Sequence, residues 1–562
     1  MKVKRASLCV LCVVLMCSFT LFAGCGGSDD STVTDPVKVT CENGVMLGQT
    51  TDGVNSWKGI PFAKPPVDDL RWKAPVAPDP SDEEIECYEF GYSAIQYEWD
   101  TEPASSLPRS EDCLTLNIWA SEDALDSDEP KPVMVFFHGG AYSWGGTGDP
   151  TYDGQEFVKA HPDVILVTCN YRLGIMSWAD FSQVPGGEEY TDVNLGLRDN
   201  ICALEWIQKN IENFGGDKDN VTIFGESAGG FTTTALCISP MAQGLFNRAI
   251  SESGVVDLKD RQAAVDFADV IVETTDAKNM DDLLAISGDE WIELDEENWM
   301  SDECCGAVAD GEVLPEYSDI ESAMSRAVDN GIQLLIGTNH DEWNYFCSDQ
   351  GCDTPEENFD YWYKNDLTPY WEGTYENGDD SVKAAMDEFY AYEEPLIPEE
   401  YAKDKTTKDA LIKSAFKTET WRYQHFDFAD KYADAGGDVY MYIWNVPSEL
   451  DEMYKSSVHA VELSYVFNTI EDASYAGTVD LPSAERVQEA WTNFAKTGDP
   501  SIESAEWTKY DSSSRDIMMI NKDGWKMESD PMKRARELMT TIYASEELPP
   551  SYDHLYIYNI WE

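Results

Sequence analysis

The sequence predicts an α/β fold with a large, mostly parallel central sheet, helices on both faces and a helical region over one end. Three observations carry that expectation: short apolar runs recur along the chain, segments of helical spacing alternate with them, and chemically capable residues follow the runs. The runs are PVMVFF at 132–137, DVILVTC at 163–169, VTIF at 221–224, LLIG at 334–337 and VYMYIW at 439–444. Each is short and rich in β-branched or aromatic residues, as a strand buried on both faces must be. Among the helical segments, LRDNICALEWIQKNIENF sets Ile201, Leu204, Trp206 and Ile207 near one face and stops at Gly215 and Gly216. In open sheets of this kind ligands collect beyond the carboxyl ends of the strands.

At the N-terminus Met1–Arg5 carry positive charge, Leu8–Met16 form an apolar run, and LFAGC closes it at Cys25. That is an export signal over residues 1–24, too short and wrongly flanked for a membrane span. Its ending is similar to a bacterial lipobox, in which the cysteine becomes the acylated N-terminus. Phe22 departs from the aliphatic residue usual three places before that cysteine, and Leu21 stands one place further off. Residues 25–37 are then a lipid-anchor cysteine and an acidic, flexible tether, and 38–562 the folded body. The expectation is a cell-envelope lipoprotein, with a secreted soluble protein as the alternative.

The chain has 562 residues, with 107 acidic against 39 basic side chains and a net charge of −68. Nucleic acid and anionic lipid are repelled by such a surface, so membrane contact is expected only through the anchor. With Cys9, Cys12 and Cys17 in the signal and Cys25 at its end, ten of the 14 cysteines remain. Export permits disulfides. Cys87 and Cys113 bracket a loop of a size that one bridge commonly closes, Cys347 and Cys352 bracket a smaller one, and Cys304 and Cys305 have no assignment. No cysteines stand at zinc spacing, the histidines form no His-x-x-x-His pair, and DKDN at 217–220 lacks the other ligands of a calcium loop. No metal and no cofactor is expected.

The segment GESAG at 225–229 follows the third run. Gly225 and Gly229 lack the Cβ atoms that would crowd a sharp strand-to-helix turn with Ser227 at its apex. A serine hydroxyl becomes a nucleophile only with a base to take its proton and donors to hold the oxyanion. The segments after the other runs supply these: HGGAYSWGG after the first, TNHDEWNYF after the fourth, and VHAVELSYVF beyond the fifth. A glycine-rich turn, a serine, an acid pair and a histidine complete the inventory for acyl transfer, in the order serine, acid, histidine.

The chain resembles the type-B carboxylesterases, the cholinesterase-like branch of the α/β-hydrolases, across nearly its whole mature length. WKGIPFAKPPVDDLRWKAP, EDCLTLNIW, NYRLG, NLGLRDN, FGGDKDNVTIFGESAGG and WTNFAKTGDPS stand in that family's order. The resemblance implies a single-domain, cofactor-free hydrolase of small to medium carboxylic esters that works through an acyl-enzyme. Ser227 would be the nucleophile, His459 the general base, and Glu342 the acid that orients it, with Asp341 the alternative. Trp343 stands where the family has glycine, and Ala460 where glycine is frequent. Backbone amides of Gly140, Ala141 and Ala228 would form the oxyanion hole, while His138 reads as structural. The resemblance also implies a Cys87–Cys113 disulfide on the rim of the site and a helical region over the pocket from about 345 to 435. No aromatic falls where cholinesterases hold their choline-binding tryptophan.

Competing readings are a catalytically silent binding relative, which would lack the serine or histidine that this chain keeps, and an amidase or peptidase, which the same triad would serve. A penicillin-binding type is prompted by SAFK at 414–417 and KTG at 496–498, but no Ser-Asp-Asn lies between them. The oligomeric state is not readable.

Overall fold

The computed structural model describes residues 36–98, 108–304, 306–348, 361–447, 456–469 and 480–545. Strands β1 (Val37–Cys41), β2 (Gly44–Thr51), β3 (Val54–Pro61) and β4 (Thr115–Ser121) form an antiparallel flank. The rest of the sheet is β5 (Lys131–Phe137), β6 (Ile165–Cys169), β7 (Gly216–Glu226), β8 (Arg248–Glu252), β9 (Gln333–Asn339), β10 (Val439–Asn445), β11 (Asp516–Asn521) and β12 (Gly524–Ser529). Across the sheet the order is β1-β2-β3-β4-β6-β5-β7-β8-β9-β10-β11-β12. Every neighbouring pair from β6 to β11 is parallel, and β12 returns antiparallel.

The apolar runs divide by parity. Val133, Val135 and Phe137 of β5 face one core, and Met134 and Phe136 the other; in β9, Leu334 and Ile336 face the first and Leu335 the second. Helices α1 (Leu195–Asn210) and α2 (Ala228–Ile238) cover the first core through Ile201, Leu204, Ile207 and Leu236. The long helix α3 (Lys405–Asp434) reaches it with Phe426, Phe428 and Tyr432. On the opposite face α4 (Leu463–Phe467) and α5 (Leu481–Thr497) contribute Phe467, Val487, Trp491 and Phe494. Burying each of these larger side chains stabilises the sandwich by about 1.5–3 kcal/mol. That is why uninterrupted apolar runs, rather than alternating ones, mark the strands here.

The five predicted strands and the helix ending at Gly215 are present, with Gly215 left-handed at φ +85°. The region from 345 to 435 is helical in its described parts, through Thr368–Asn377, Asp380–Glu393 and α3. Strand β8, in the middle of the sheet, was not predicted, because RAISE holds only two apolar residues between charged ends. The antiparallel flank was missed as well. Its Val37 already pairs with Gly48, so the folded body begins just before the expected residue 38.

The expected Cys87–Cys113 disulfide is not formed: both are free, buried thiols. Cys87 Sγ is turned to Met46 Sδ at 3.8 Å, toward the N-terminal hairpin, while Cys113 is buried in the electrostatic company of Asp199 and Arg172. Cys304 is buried, its Sγ 3.7 Å from Ser143 Oγ; Cys25, Cys305 and Cys352, with the signal and nearly all of the tether, lie outside the described residues.

Candidate active site

Strand β7 ends at Glu226 and α2 begins at Ala228, so Ser227 alone makes the turn. It does so with φ +54° and ψ −121°, a conformation that costs a side-chain-bearing residue roughly 1–3 kcal/mol. Neighbouring contacts enforce it. A Cβ on Gly229 would lie 1.9 Å from the carbonyl oxygen of Phe137, so α2 can approach β5 only with glycine there. Ser227 N donates to Glu252 O at 2.9 Å, tying the elbow to the end of β8.

Beyond β5 the chain turns through Gly140 (φ +100°), Ala141 (+57°) and Tyr142 (+65°), closed by Ser143 N and Trp144 N donating to Gly140 O at 2.9 and 3.0 Å. Among the described residues the amides of Gly140 and Ala141 donate to no acceptor. Ala228 is the first residue of α2, where an amide has no intrahelical partner. Three N–H groups are thereby left for an external oxygen, at the positive end of a helix. His138 is structural: its Nδ1 contacts Gly139 O at 2.8 Å, its ring stacks on Tyr171, and burial pushes its pKa down to about 4.

The acid and histidine converge from the ends of β9 and β10. Glu342 Oε2 accepts from His459 Nδ1 at 2.7 Å, and Oε1 accepts from Asn339 N and Ser253 Oγ, both at 2.6 Å. The carboxylate, 1% exposed, is oriented by these three hydrogen bonds on its two oxygens, and the backbone is tied separately by His459 N donating to the Glu342 carbonyl at 3.3 Å. Asp341 is turned away: its Oδ1 contacts His340 Nδ1 at 2.9 Å and its Oδ2 accepts from Ser457 N at 3.2 Å. The imidazole sits among Phe346, Trp421 and Tyr345, at centroid distances of 5.4, 5.7 and 6.1 Å.

His459 Nε2 lies 3.1 Å from Glu226 Oε1, whereas the Ser227 hydroxyl makes no hydrogen bond among the described residues. Sequence reasoning passed over Glu226, although its place immediately before the serine, in GESAG, was the available signal. It also passed over Ser253 and Asn339, and over Glu252 and Glu462, two buried carboxyls nearby. Burial first, then the charge of Glu226, pushes Glu252 up to about 8; burial, then Glu252 and Glu342, does the same to Glu462. Among the described residues no group of three or more histidine, cysteine or acidic side chains is arranged to hold a metal ion.

A serine on a strand-to-helix elbow, spare amides beside it, and a histidine backed by a buried glutamate at the carboxyl ends of a parallel sheet define an α/β-hydrolase. A sequence model of the Carboxylesterase family matches residues 35–538. The para-nitrobenzyl esterase of Bacillus subtilis (strain 168) is 31% identical over 519 residues, covering 89% of this chain and 97% of that protein. Carboxylesterase 1D of Mus musculus is 30% identical, over 85% of this chain and 88% of that one. Among solved structures, the Geobacillus stearothermophilus carboxylesterase EST55 superposes with a TM-score of 0.75 at 31% identity, covering 89% and 99% of the two chains. The chain belongs to the carboxylesterase family and is a serine hydrolase of carboxylic esters.

Proposed function

We propose that Ser227, His459 and Glu342 are the catalytic triad, and that the protein hydrolyses small to medium carboxylic esters through an acyl-enzyme. The observation that carries this reading is the 2.7 Å bond from His459 Nδ1 to Glu342, whose other carboxylate oxygen is held by Asn339 N and Ser253 Oγ. With Nδ1–H bound there, the neutral ring offers its Nε2 lone pair. Nε2 takes the Ser227 proton as Oγ attacks the ester carbonyl, and the oxyanion is received by the amides of Gly140, Ala141 and Ala228. The imidazolium then protonates the departing alcohol. Water, activated by the same nitrogen, attacks the acyl-serine and releases the acid.

Turnover of a short-chain p-nitrophenyl ester that vanishes in Ser227→Ala, with stoichiometric labelling of the parent by a serine-directed phosphonate, is the expected result. A folded parent that neither turns over nor labels would sink the reading and favour a binding role. Activity on the matching anilide, compared with the ester, separates esterase from amidase.

The export signal over 1–24 and acylation of Cys25 would place this body at the cell envelope on its acidic tether. Incorporation of an alkynyl fatty acid that Cys25→Ser abolishes would support the anchor, and release of unlabelled protein would favour the secreted form.

A further inference from the structure

Helix α3 carries a stripe that its position does not lead one to expect. Ser414, Lys417, Thr418 and Arg422 stand at i, i+3, i+4 and i+8, on one face, and all four are buried. A helix face turned into a protein is ordinarily apolar, since a polar group removed from water needs a partner there. Here, apart from Arg422's ion pair with Glu419 on α3 itself, the stripe's partners converge on one short segment, residues 338–344, which carries Glu342, Lys417 reaching it through Asp366.

Arg422 Nε donates to Thr338 Oγ1 at 3.1 Å, and its outer nitrogen donates to the carbonyls of Asn339 and His340 at 2.9 and 2.6 Å. Thr418 Oγ1 accepts from Trp343 N at 3.1 Å. Ser414 Oγ donates to Asn344 Oδ1 at 2.7 Å, and Asn344 Nδ2 continues to Ser456 Oγ at 3.1 Å, three residues before His459. The remaining grip is on the Trp343 side chain. Its indole N–H donates to Asp366 Oδ2 at 3.0 Å, Asp366 Oδ1 accepts from Lys417 Nζ at 2.5 Å, and that ammonium lies 4.0 Å from the centroid of the Trp343 ring.

Resting on the triad reading above, we propose that α3 is the positioning element of the catalytic acid. Its polar stripe, through the Asp366–Lys417 pair on Trp343, fixes the residue that follows Glu342 and so holds the carboxylate at hydrogen-bond distance from His459. Asp366 and Lys417 are both buried, and an ion pair in that environment stabilises a protein no better than apolar side chains of the same volume. What the pair adds is direction: a carboxylate in the indole plane and a cation on its face admit one orientation of the ring. Trp343, which occupies the place of a glycine in the family pattern, thereby anchors a backbone that glycine would leave free. Trp343, Asp366 and Lys417 are positioning residues; none touches the reacting atoms.

The test uses the full chain and a short-chain p-nitrophenyl ester. Asp366→Asn combined with Lys417→Met removes both charges together, so neither is left buried alone. We expect KM within about twofold of the parent and kcat lower by about tenfold or more, the signature of a misplaced catalytic group rather than lost substrate binding. Lys417→Arg, which keeps the cation, should retain most of the parental kcat. Should the double variant fail to fold, Trp343→Phe decides, because it keeps an aromatic ring in the core while losing the N–H and part of the indole's volume; the same split is expected there. Parental kcat in the double variant, or in Trp343→Phe where the double variant does not fold, would overturn the proposal, provided that Glu342→Gln in the same assay loses at least about a hundredfold. Full activity of Glu342→Gln would instead remove the triad reading, and this proposal with it.

Discussion

The carboxylate of Glu226 lies 3.1 Å from Nε2 of His459, on the ring nitrogen opposite the one that Glu342 holds at 2.7 Å. A carboxylate so placed can accept from Nε2 once that nitrogen carries a proton, bridging the ring between two acids. Glu226 is thus placed to favour the protonated ring that forms when Ser227 is attacking.

Glu226→Gln keeps the shape and removes the charge. We expect kcat on a p-nitrophenyl ester to fall about ten- to a hundredfold, because a buried charge aimed at a developing cation is worth far more than the same charge in water. Phosphonate labelling should slow in parallel, while thermal stability stays near the parent. Unchanged kcat would show that the contact has no part in the reaction.

Glu252 and Glu462 predict a loss of stability toward alkaline pH. Their pKa values are raised from 4.5 to about 8 in the folded protein, chiefly by burial. Between those values the native state binds more protons than the unfolded chain, so stability falls as pH rises. Thermal melts from pH 5 to pH 9 should show that decline, and Glu462→Gln should flatten it. A variant that melts with the same pH slope as the parent would contradict the assignment.

Two buried histidines act in the opposite direction. Burial, the leading cause for both His138 and His425, pushes them from 6.5 down to about 4. Below pH 6.5 the unfolded chain takes up protons that the folded one refuses, and stability contributed by these groups is lost as pH falls toward 4. His425, which contacts Trp421 O at 3.0 Å, is the one to change: His425→Gln should become less sensitive to acid. An acid transition identical to that of the parent would count against it.

The thiols give a fourth prediction. Burial pushes Cys41, Cys87, Cys202 and Cys237 up to about 12 and raises Cys113 and Cys169 as well, so at pH 8 they are protonated and unreactive. Iodoacetamide should spare all six in the native protein and modify all six after unfolding without reductant. If Cys87 and Cys113 react only after reduction, the assignment of both as free thiols fails.

The parts of this molecule that the sequence declared are those decided locally. Strands buried on both faces must be apolar at every position, so β5, β6, β7, β9 and β10 stood out as continuous runs. The elbow needs glycine where a Cβ would strike Phe137, and GESAG records that constraint directly. β8 escaped because its burial comes from neighbours on either side, β7 and β9, rather than from a distinctive composition of its own.

Sequence by itself determined the elbow, the glycine-rich turn and the residue types of the site, since backbone sterics and the chemistry of acyl transfer act over a few residues. Only the tertiary structure shows that Glu342, and not Asp341, faces His459, because that contact spans a separation of 117 residues. The fold likewise decided that Glu226 faces the other ring nitrogen, that Cys87 meets Met46 and not Cys113, and that a polar face of α3 grips Trp343. Side-chain direction is set by packing between elements far apart in the chain, and no short stretch of sequence carries it.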